Sequence, residues 1–170
     1  MATDTFGPTH QMLTRRQKLD ALKLLKEDHD RVKKMLAEGE STTERGEKTR
    51  EELFARLKSD LEIHERMEEE VLYPALKSHP KARDLALEGY EEHHVVDTIL
   101  AELEQTPPSD EQWGAKFKVA KENLEHHIEE EETQMFPKAR NAFSDDELEQ
   151  MGTRMAEIKQ LAKQLAGSRT

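Results

Sequence analysis

The chain contains no cysteine, and this absence removes several kinds of chemistry at once. Thiolate metal sites, disulfide bonds and thiol redox reactions all require a cysteine sulfur. Aromatic residues make up only 5% of the sequence, and runs of β-branched residues are missing. Because β-strands are enriched in both residue types, the sequence does not favour a sheet.

Glycine and proline are also scarce, and hydrophobic residues make up 34% of the chain against 37% for charged residues. Such a mixture is typical of a bundle of amphipathic helices, in which narrow apolar stripes face inward beneath wide solvated faces. At 170 residues the chain is long enough for one domain with a buried core. We therefore expect an all-α protein.

The formal net charge of the chain is −11. Nucleic acids and anionic membrane surfaces are bound by clustered Lys and Arg, so this acidic chain is not expected to bind either of them. No hydrophobic run is long enough to span a membrane, and residues 1–11 lack the apolar segment of a signal peptide. We therefore expect a cytoplasmic protein, and the sequence indicates no particular protein partner.

Apolar residues recur with helical spacing in five segments. The predicted helices cover about 20–38, 47–77, 80–104, 110–140 and 144–166. The first four predict an up-down-up-down four-helix bundle over residues 20–140. Residues 1–19 are expected to form a polar lead-in, and residues 141–170 an extra C-terminal amphipathic helix packed on the bundle.

Several residues mark the boundaries of these predicted helices. Pro74 is expected to kink or end the second helix, and Pro80 is expected to lie early in the third. N-terminal caps are expected at Asp20, at Ser109 or Asp110, and at Ser144, which forms a capping box with Glu147.

One pattern of metal-ligand residues occurs twice: a lone histidine on one helix, then His-x-x-x-Glu on the next. The copies are His29 followed by His64 with Glu68, and His93 followed by His127 with Glu131. Residues four apart share one face of a helix, so two helical hairpins could aim four imidazoles and two carboxylates at one point. Because a buried ionised glutamate is costly without a compensating cation, the pattern predicts a pair of metal ions.

The other four histidines are not expected to bind these ions. His10 and His79 fall in predicted loop or boundary segments. His94 and His126 neighbour the selected histidines, but adjacent helical residues point about 100° apart, so both are expected to be solvated or to lie behind the ligands. In the acidic runs 68–70 and 129–132, only one residue each can face inward, and the rest are expected to form a solvated face.

Imidazole and carboxylate ligands suit Fe, Mn, Zn or Cu, so ligand type alone leaves the metal open. If Glu68 and Glu131 each bridge both ions, and a solvent-derived bridge joins the ions, each ion has five ligands and one open position. Structural zinc sites are instead closed and tetrahedral. The ferritin-like Glu-x-x-His arrangement is excluded, because Leu61 and Leu124 stand three residues before the histidines. The ligand count favours a diiron site.

These residues resemble bacterial hemerythrin-like proteins, the hemerythrin HHE cation-binding domain family. The resemblance covers about residues 20–140 and rests on the segments 25–29 (LKEDH), 64–74 (HERMEEEVLYP), 91–96 (EEHHVV), 125–132 (EHHIEEEE) and 135–140 (MFPKAR). It implies a bundle around two Fe ions with an oxo or hydroxo bridge. His29 and His64 would serve one iron, and His93 and His127 the other.

The chain departs from the family pattern at one position. Oxygen-carrying hemerythrins have a further histidine four residues after the third-helix ligand, where this chain has Asp97. Without it both irons are expected to be open, which favours further redox chemistry over reversible oxygen carriage. We expect Asp97 to hydrogen-bond an imidazole, with ligation or an outward orientation as alternatives. Tyr90 is expected to be a packing residue rather than a donor to a bound ligand.

Two functions follow from this interpretation. The first is a diiron protein that reacts with O₂, peroxide or nitric oxide in protection against oxidative stress, with catalase- or peroxidase-like activity. The alternative is a non-enzymatic module that senses or stores oxygen or iron. A metal site that is only structural is disfavoured, because the ligands exceed a closed four-ligand set.

Overall fold

The computed structural model describes residues 19–167, and this range is helical with no β-strand. The long helices are α1 (Ala21–Glu40), α2 (Glu47–Met67), α4 (Arg83–Glu104), α5 (Glu111–Glu130) and α7 (Asp145–Gly167). A π-helical turn, Glu68–Leu72, continues α2 into the short α3 (Tyr73–Lys77), and a second, Glu131–Met135, continues α5 into α6 (Phe136–Ala142). A 3₁₀ turn, Glu44–Gly46, precedes α2. The predicted lead-in and His10 lie outside the described residues, apart from Leu19.

The expected all-α bundle is confirmed. Helix α1 packs on α2 and α5, and α4 packs on α5 and α3, so consecutive long helices form antiparallel hairpins. Helix α7 packs on α1 and α2. At Gly152 this approach brings backbone against backbone, because a Cβ atom there would lie 1.9 Å from the carbonyl oxygen of Leu19. Among the described residues, no helix combines the length and apolar character needed to cross a membrane.

The apolar interior is divided into two clusters. The first cluster includes the pair Leu25 and Met67 and packs against α7. The second cluster includes the pair Val32 and Leu61 and extends to Trp113 near the start of α5. Residues between these pairs along α1 and α2 therefore lie in a layer that separates the clusters. That layer contains the histidines of the doubled pattern.

The two prolines have different outcomes. Pro74 does not end the helical path, because it lies in the first turn of α3, where a missing backbone N–H is tolerated. The prediction for Pro80 is wrong, since α4 begins only at Arg83. The carbonyl of His79 accepts hydrogen bonds from the N–H groups of Ala82 and Arg83, which closes a turn with Pro80 in its favoured second position.

The predicted helix caps are present. The Asp20 carboxylate accepts from the N–H of Lys23 at 3.0 Å, and Asp110, rather than Ser109, accepts from Gln112 at 2.8 Å. At α7, the N–H of Ser144 donates to the Glu147 carboxylate at 2.8 Å and the N–H of Glu147 donates to Ser144 Oγ at 3.3 Å, as a capping box requires.

Candidate metal centre

The six side chains of the doubled pattern lie together in the layer between the two apolar clusters. Each is at most 3% exposed: His29 on α1, His64 on α2, Glu68 in the first π-helical turn, His93 on α4, His127 on α5, and Glu131 in the second π-helical turn. His94 and His126 are exposed on the outer faces of α4 and α5. His79 is half-buried and packs edge-on against Phe143.

The imidazoles form two pairs, each joining the two helices of one hairpin. The Nε2 atoms of His29 and His64 are 3.2 Å apart, and those of His93 and His127 are 3.1 Å apart. An octahedral ion with ligand bonds of about 2.1 Å separates adjacent ligand atoms by about 3 Å. The spacing within each pair therefore suits two ligands of one ion.

Each glutamate faces one imidazole from each pair. Glu68 Oε2 lies 3.3 Å from the Nε2 atoms of both His64 and His93. Glu131 Oε2 lies 3.1 Å from Nε2 of His29 and 3.7 Å from Nε2 of His127. Each carboxylate therefore lies between the two imidazole pairs.

Three of the four oxygens of these two carboxyl groups lack a hydrogen-bond donor in the described part of the chain. Both oxygens of Glu68 and Oε2 of Glu131 are buried without a hydrogen-bond partner among residues 19–167. Burial and the nearby charge of Glu131 raise the pKa of Glu68 well above its usual value. Orphaned buried oxygens are costly unless a cation satisfies them, so the residues present fit bound metal ions.

Each π-helical turn brings one additional aromatic side chain to the site. In a regular α-helix the same side chain would point away from the imidazoles. In each turn the backbone carbonyl of the glutamate accepts from the N–H five residues later, at Tyr73 after Glu68 and at Phe136 after Glu131. The wider turn stacks the fifth residue, instead of the fourth, above the ligand. The Tyr73 ring accordingly stacks on His93 and the Phe136 ring on His29, with ring centres 5.4 and 5.6 Å apart.

Tyr73 is a site residue that the sequence analysis missed. Its side chain is fully buried, and its hydroxyl donates to Glu131 Oε1 at 2.8 Å and lies 3.2 Å from Nε2 of His93. Tyr90 supports Tyr73 instead, packing edge-on against its ring while its own hydroxyl donates to the backbone carbonyl of Glu69. The signal available in the sequence was the matched spacing of Tyr73 and Phe136, five residues after each glutamate.

Carboxylates outside the ligand set hold three of the imidazoles. The Nδ1–H groups donate in three pairs: His29 to Glu132 at 3.0 Å, His93 to Glu69 at 2.9 Å, and His127 to Glu92 at 2.7 Å. Because Nδ1 then carries the proton, the lone pair of Nε2 is free to bind a metal.

The expectation of a solvated face is wrong for Glu132, whose side chain is 19% exposed, whereas Glu69 is 40% exposed and also contacts an imidazole. Both directly follow a ligand glutamate, and each reaches an imidazole on a neighbouring helix. Helix crossing causes this, since a residue off the inward face of its own helix still meets the helix beside it. Asp97 takes no such role: the structure places it on the exposed surface, so the favoured interpretation is replaced by the outward one.

A small cavity of about 10 Å³ lies within the layer. It is lined by the four imidazoles, by apolar side chains and by Glu65. Glu65 is only 8% exposed, and burial raises its pKa to about 7. Burial, followed by the charge of His29, lowers the pKa of His64 well below its usual value. A neutral imidazole is the form that ligates a metal.

The fold and this site define a helical-bundle protein with a buried histidine–carboxylate cluster for metal ions. Residues 20–139 match the hemerythrin HHE cation-binding domain, and the chain belongs to that family. A crystal structure of a hemerythrin HHE cation-binding domain-containing protein from Mycobacterium kansasii is similar, with a TM-score of 0.76, 32% sequence identity, and coverage of 89% of this chain and 93% of that one.

Two curated relatives are also similar. An uncharacterized protein of Mycobacterium tuberculosis strain H37Rv is 35% identical over 112 residues, which are 64% of this chain and 67% of that protein. A DNA nickase of Nostoc is 25% identical over 152 residues, which are 89% of this chain. The matched region spans only 42% of the nickase, so most of that protein has no counterpart in the match.

Proposed function

We propose that the protein binds two iron ions in the buried layer and that the loaded site reacts with O₂, peroxide or nitric oxide. The proposed role is protective, as a catalase- or peroxidase-like activity in oxidative stress. The observation that carries this proposal is the placement of Glu68 and Glu131, each within 3.7 Å of an imidazole from both pairs.

The proposed ligands of one iron are His29 and His64, and those of the other are His93 and His127. Glu68 and Glu131 would bridge the two ions, and an oxo or hydroxo group from solvent would complete the bridge. This count leaves a position open on each ion, as a reactive site requires and a structural site does not.

When bound, two irons would supply the electrons that reduce or disproportionate a small oxygen species. The protein contributes the surroundings. Val32, Leu61 and Leu124 line the cavity among the imidazoles, and their apolar side chains restrict water. Tyr73 holds a proton on a hydroxyl 2.8 Å from Glu131, and burial raises its pKa well above the usual value, so it stays a donor.

The proposal is tested by metal analysis and rapid mixing. The purified protein should contain about two irons per chain. It should also show an oxo-to-iron charge-transfer band in the near ultraviolet, in addition to the absorption of its Trp and Tyr residues. Mixing the reduced protein with hydrogen peroxide should release O₂ rapidly, whereas a stable, reversible adduct with O₂ would instead support the sensing or storage alternative. A stoichiometric zinc load from iron-replete cells would contradict the diiron proposal.

The match to the Nostoc nickase does not indicate a DNA-cleaving activity for this chain. The matched region is less than half of that protein. The net charge of −11 also opposes the phosphate contacts on which binding to DNA depends.

A further inference from the structure

One of the four imidazoles lacks the carboxylate that holds the others. Nδ1 of His64 is buried without a hydrogen-bond partner in the described part of the chain. The doubled pattern shows which residue should hold it: Glu92 precedes His93 and accepts from His127 at 2.7 Å, and Asp28 precedes His29 in the same way. Asp28 Oδ2, however, stays 4.0 Å from Nδ1 of His64, beyond hydrogen-bond distance.

Two basic side chains engage the other oxygen of this aspartate. Asp28 Oδ1 accepts hydrogen bonds from Arg31, one turn along α1, and from Lys159 Nζ on α7. Asp28 and Lys159 side chains are 5% and 22% exposed, so this pair is shielded from water, whereas Arg31 is 44% exposed. Charge-assisted hydrogen bonds of this kind are stronger than neutral ones. They favour the conformation in which Asp28 stays apart from His64.

The position of Lys159 depends on how α7 docks. The close backbone approach at Gly152 sets α7 against the segment that leads into α1. From there α7 runs beside α1, and seven residues after Gly152 it presents Lys159 to Asp28. Docking of this helix and the environment of His64 are therefore linked through one ion pair.

We propose that Asp28 and Lys159 are positioning residues that make the two metal positions unequal, with the ion at His29 and His64 held more weakly than the ion at His93 and His127. This inference rests on the proposed two-metal function. A carboxylate on Nδ1 orients an imidazole and makes it a better ligand, and loss of such a partner weakens metal binding about 10- to 100-fold. While α7 is docked, His64 lacks that partner.

Stepwise titration of the metal-free protein with Co²⁺, followed by calorimetry and visible absorption, tests the inference. The wild-type protein should bind two ions with affinities about tenfold or more apart. Asp28→Glu lengthens the side chain to match Glu92, and should tighten the weaker step about tenfold. Glu92→Asp makes the reverse change and should weaken the tighter step.

The role of α7 is tested by Lys159→Met, which removes the less exposed of the two basic partners of Asp28 Oδ1 and should tighten the weaker step in the same direction as Asp28→Glu, although Arg31 remains. Lys163→Met removes an exposed charge from the same helix and should leave both steps unchanged. In the metal-free protein labelled with ¹⁵N-histidine, Asp28→Glu and Lys159→Met should move the Nδ1 resonance of His64. Lys159→Met in an Asp28→Ala background should have no effect on either measurement, because among the described residues Lys159 reaches His64 through Asp28.

Equal affinities for the two Co²⁺ ions in the wild-type protein would overturn the inference. It would also be overturned if the lower of the two affinities in Asp28→Glu and in Lys159→Met stayed within twofold of its wild-type value. Uptake of fewer than two Co²⁺ ions by the wild-type protein would contradict the proposed function itself. The two failures are therefore distinguishable.

Discussion

The hydroxyl of Tyr73 lies 2.8 Å from Oε1 of Glu131, so a residue from the first half of the repeat donates to the carboxylate of the second half. The equivalent position in the second half is Phe136, which has no hydroxyl. The two halves of the site therefore share a ligand pattern but differ in the group that lies beside it.

Replacing Tyr73 with Phe removes this donor while keeping the ring. The metal-free protein should keep its helical content and lose about 1–2 kcal/mol of unfolding free energy, because Glu131 Oε1 is left without its donor. In the iron-loaded protein the near-ultraviolet absorption should shift. Tyr90→Phe is the matched control, since its hydroxyl bonds only to a backbone carbonyl, and it should leave that spectrum unchanged.

A second variant displaces the tyrosine without altering it. A Cβ atom at Gly89 would lie 2.7 Å from the hydroxyl oxygen of Tyr73 and 2.8 Å from its Cζ. Gly89→Ala should therefore push the ring off Glu131 and reproduce the spectral shift of Tyr73→Phe. If the iron-loaded Gly89→Ala variant has the same spectrum as the iron-loaded wild-type protein, the Tyr73 hydroxyl does not influence the absorption of the metal site.

Glu68→Gln should separate metal binding from folding. The substitution replaces a buried carboxyl whose charged form is disfavoured, because burial and the charge of Glu131 raise its pKa and its oxygens have no hydrogen-bond partner in residues 19–167. The metal-free variant should therefore be at least as stable as the wild-type protein in urea unfolding. Its iron content should fall below one ion per chain. His94→Ala and His126→Ala should retain two irons. An empty site in His126→Ala would show that the wrong histidine of that pair was selected.

Arg50 connects two loops at the end of the bundle that is remote from α7. One loop joins α1 to α2, and the other joins α4 to α5. Arg50 is 5% exposed, donates to Thr42 Oγ1 at 3.1 Å and to the Pro108 carbonyl at 2.5 Å, and lies 4.7 Å from the Trp113 ring centre. Arg50→Met should cost about 2–3 kcal/mol of unfolding free energy without changing iron content.

Two further variants test whether the buried contacts of the Arg50 guanidinium cause this loss of stability. Arg50→Lys should be about as unstable as Arg50→Met, since a single ammonium cannot reproduce the planar fork of donors. Arg56→Met provides the control for loss of an arginine, because Arg56 is 62% exposed and pairs only loosely with Glu38 at 3.6 Å. A loss of more than 1 kcal/mol in Arg56→Met would point to net charge, rather than the buried contacts, as the cause.

Glu65 should make the stability of the metal-free protein depend on pH. Burial raises its pKa from 4.5 to about 7, so the folded state binds the proton more tightly than the unfolded state. The stability that the protonated carboxyl contributes is complete below pH 4.5 and is lost as the pH rises through 7. Relative to wild type, Glu65→Gln should gain up to about 3 kcal/mol between pH 5 and pH 8.

Urea unfolding of the metal-free protein at several pH values measures this difference. Removal of metal matters because a bound cation would itself alter the charge of nearby carboxyls. Glu62→Gln changes an exposed position on the same helix, so its curve of unfolding free energy against pH should run parallel to that of the wild-type protein. A Glu65→Gln curve that also runs parallel would show that the carboxyl is not protonated near neutral pH.

Much of the fold followed from local sequence signals. Helical spacing of apolar residues predicted every long helix, and the side chains of Asp20, Asp110 and Ser144 cap helices as expected. The start of α4 was misplaced, because a proline fits both the first turn of a helix and the second position of a turn. The π-helical turns were not predicted, although Pro74 and Pro137 each follow the end of one turn by two residues and lack the N–H group that an α-helix would use there.

The spacing of apolar residues, histidines and glutamates was enough to predict the bundle and the six residues that meet at its centre, because residues four apart share a helix face whatever surrounds that helix. The groups that contact these six residues depend instead on tertiary packing. The contacts of Tyr73 with Glu131, of Glu69 with His93 and of Lys159 with Asp28 each join two elements. Such contacts depend on how helices cross and where α7 docks, and no spacing along one helix encodes that geometry.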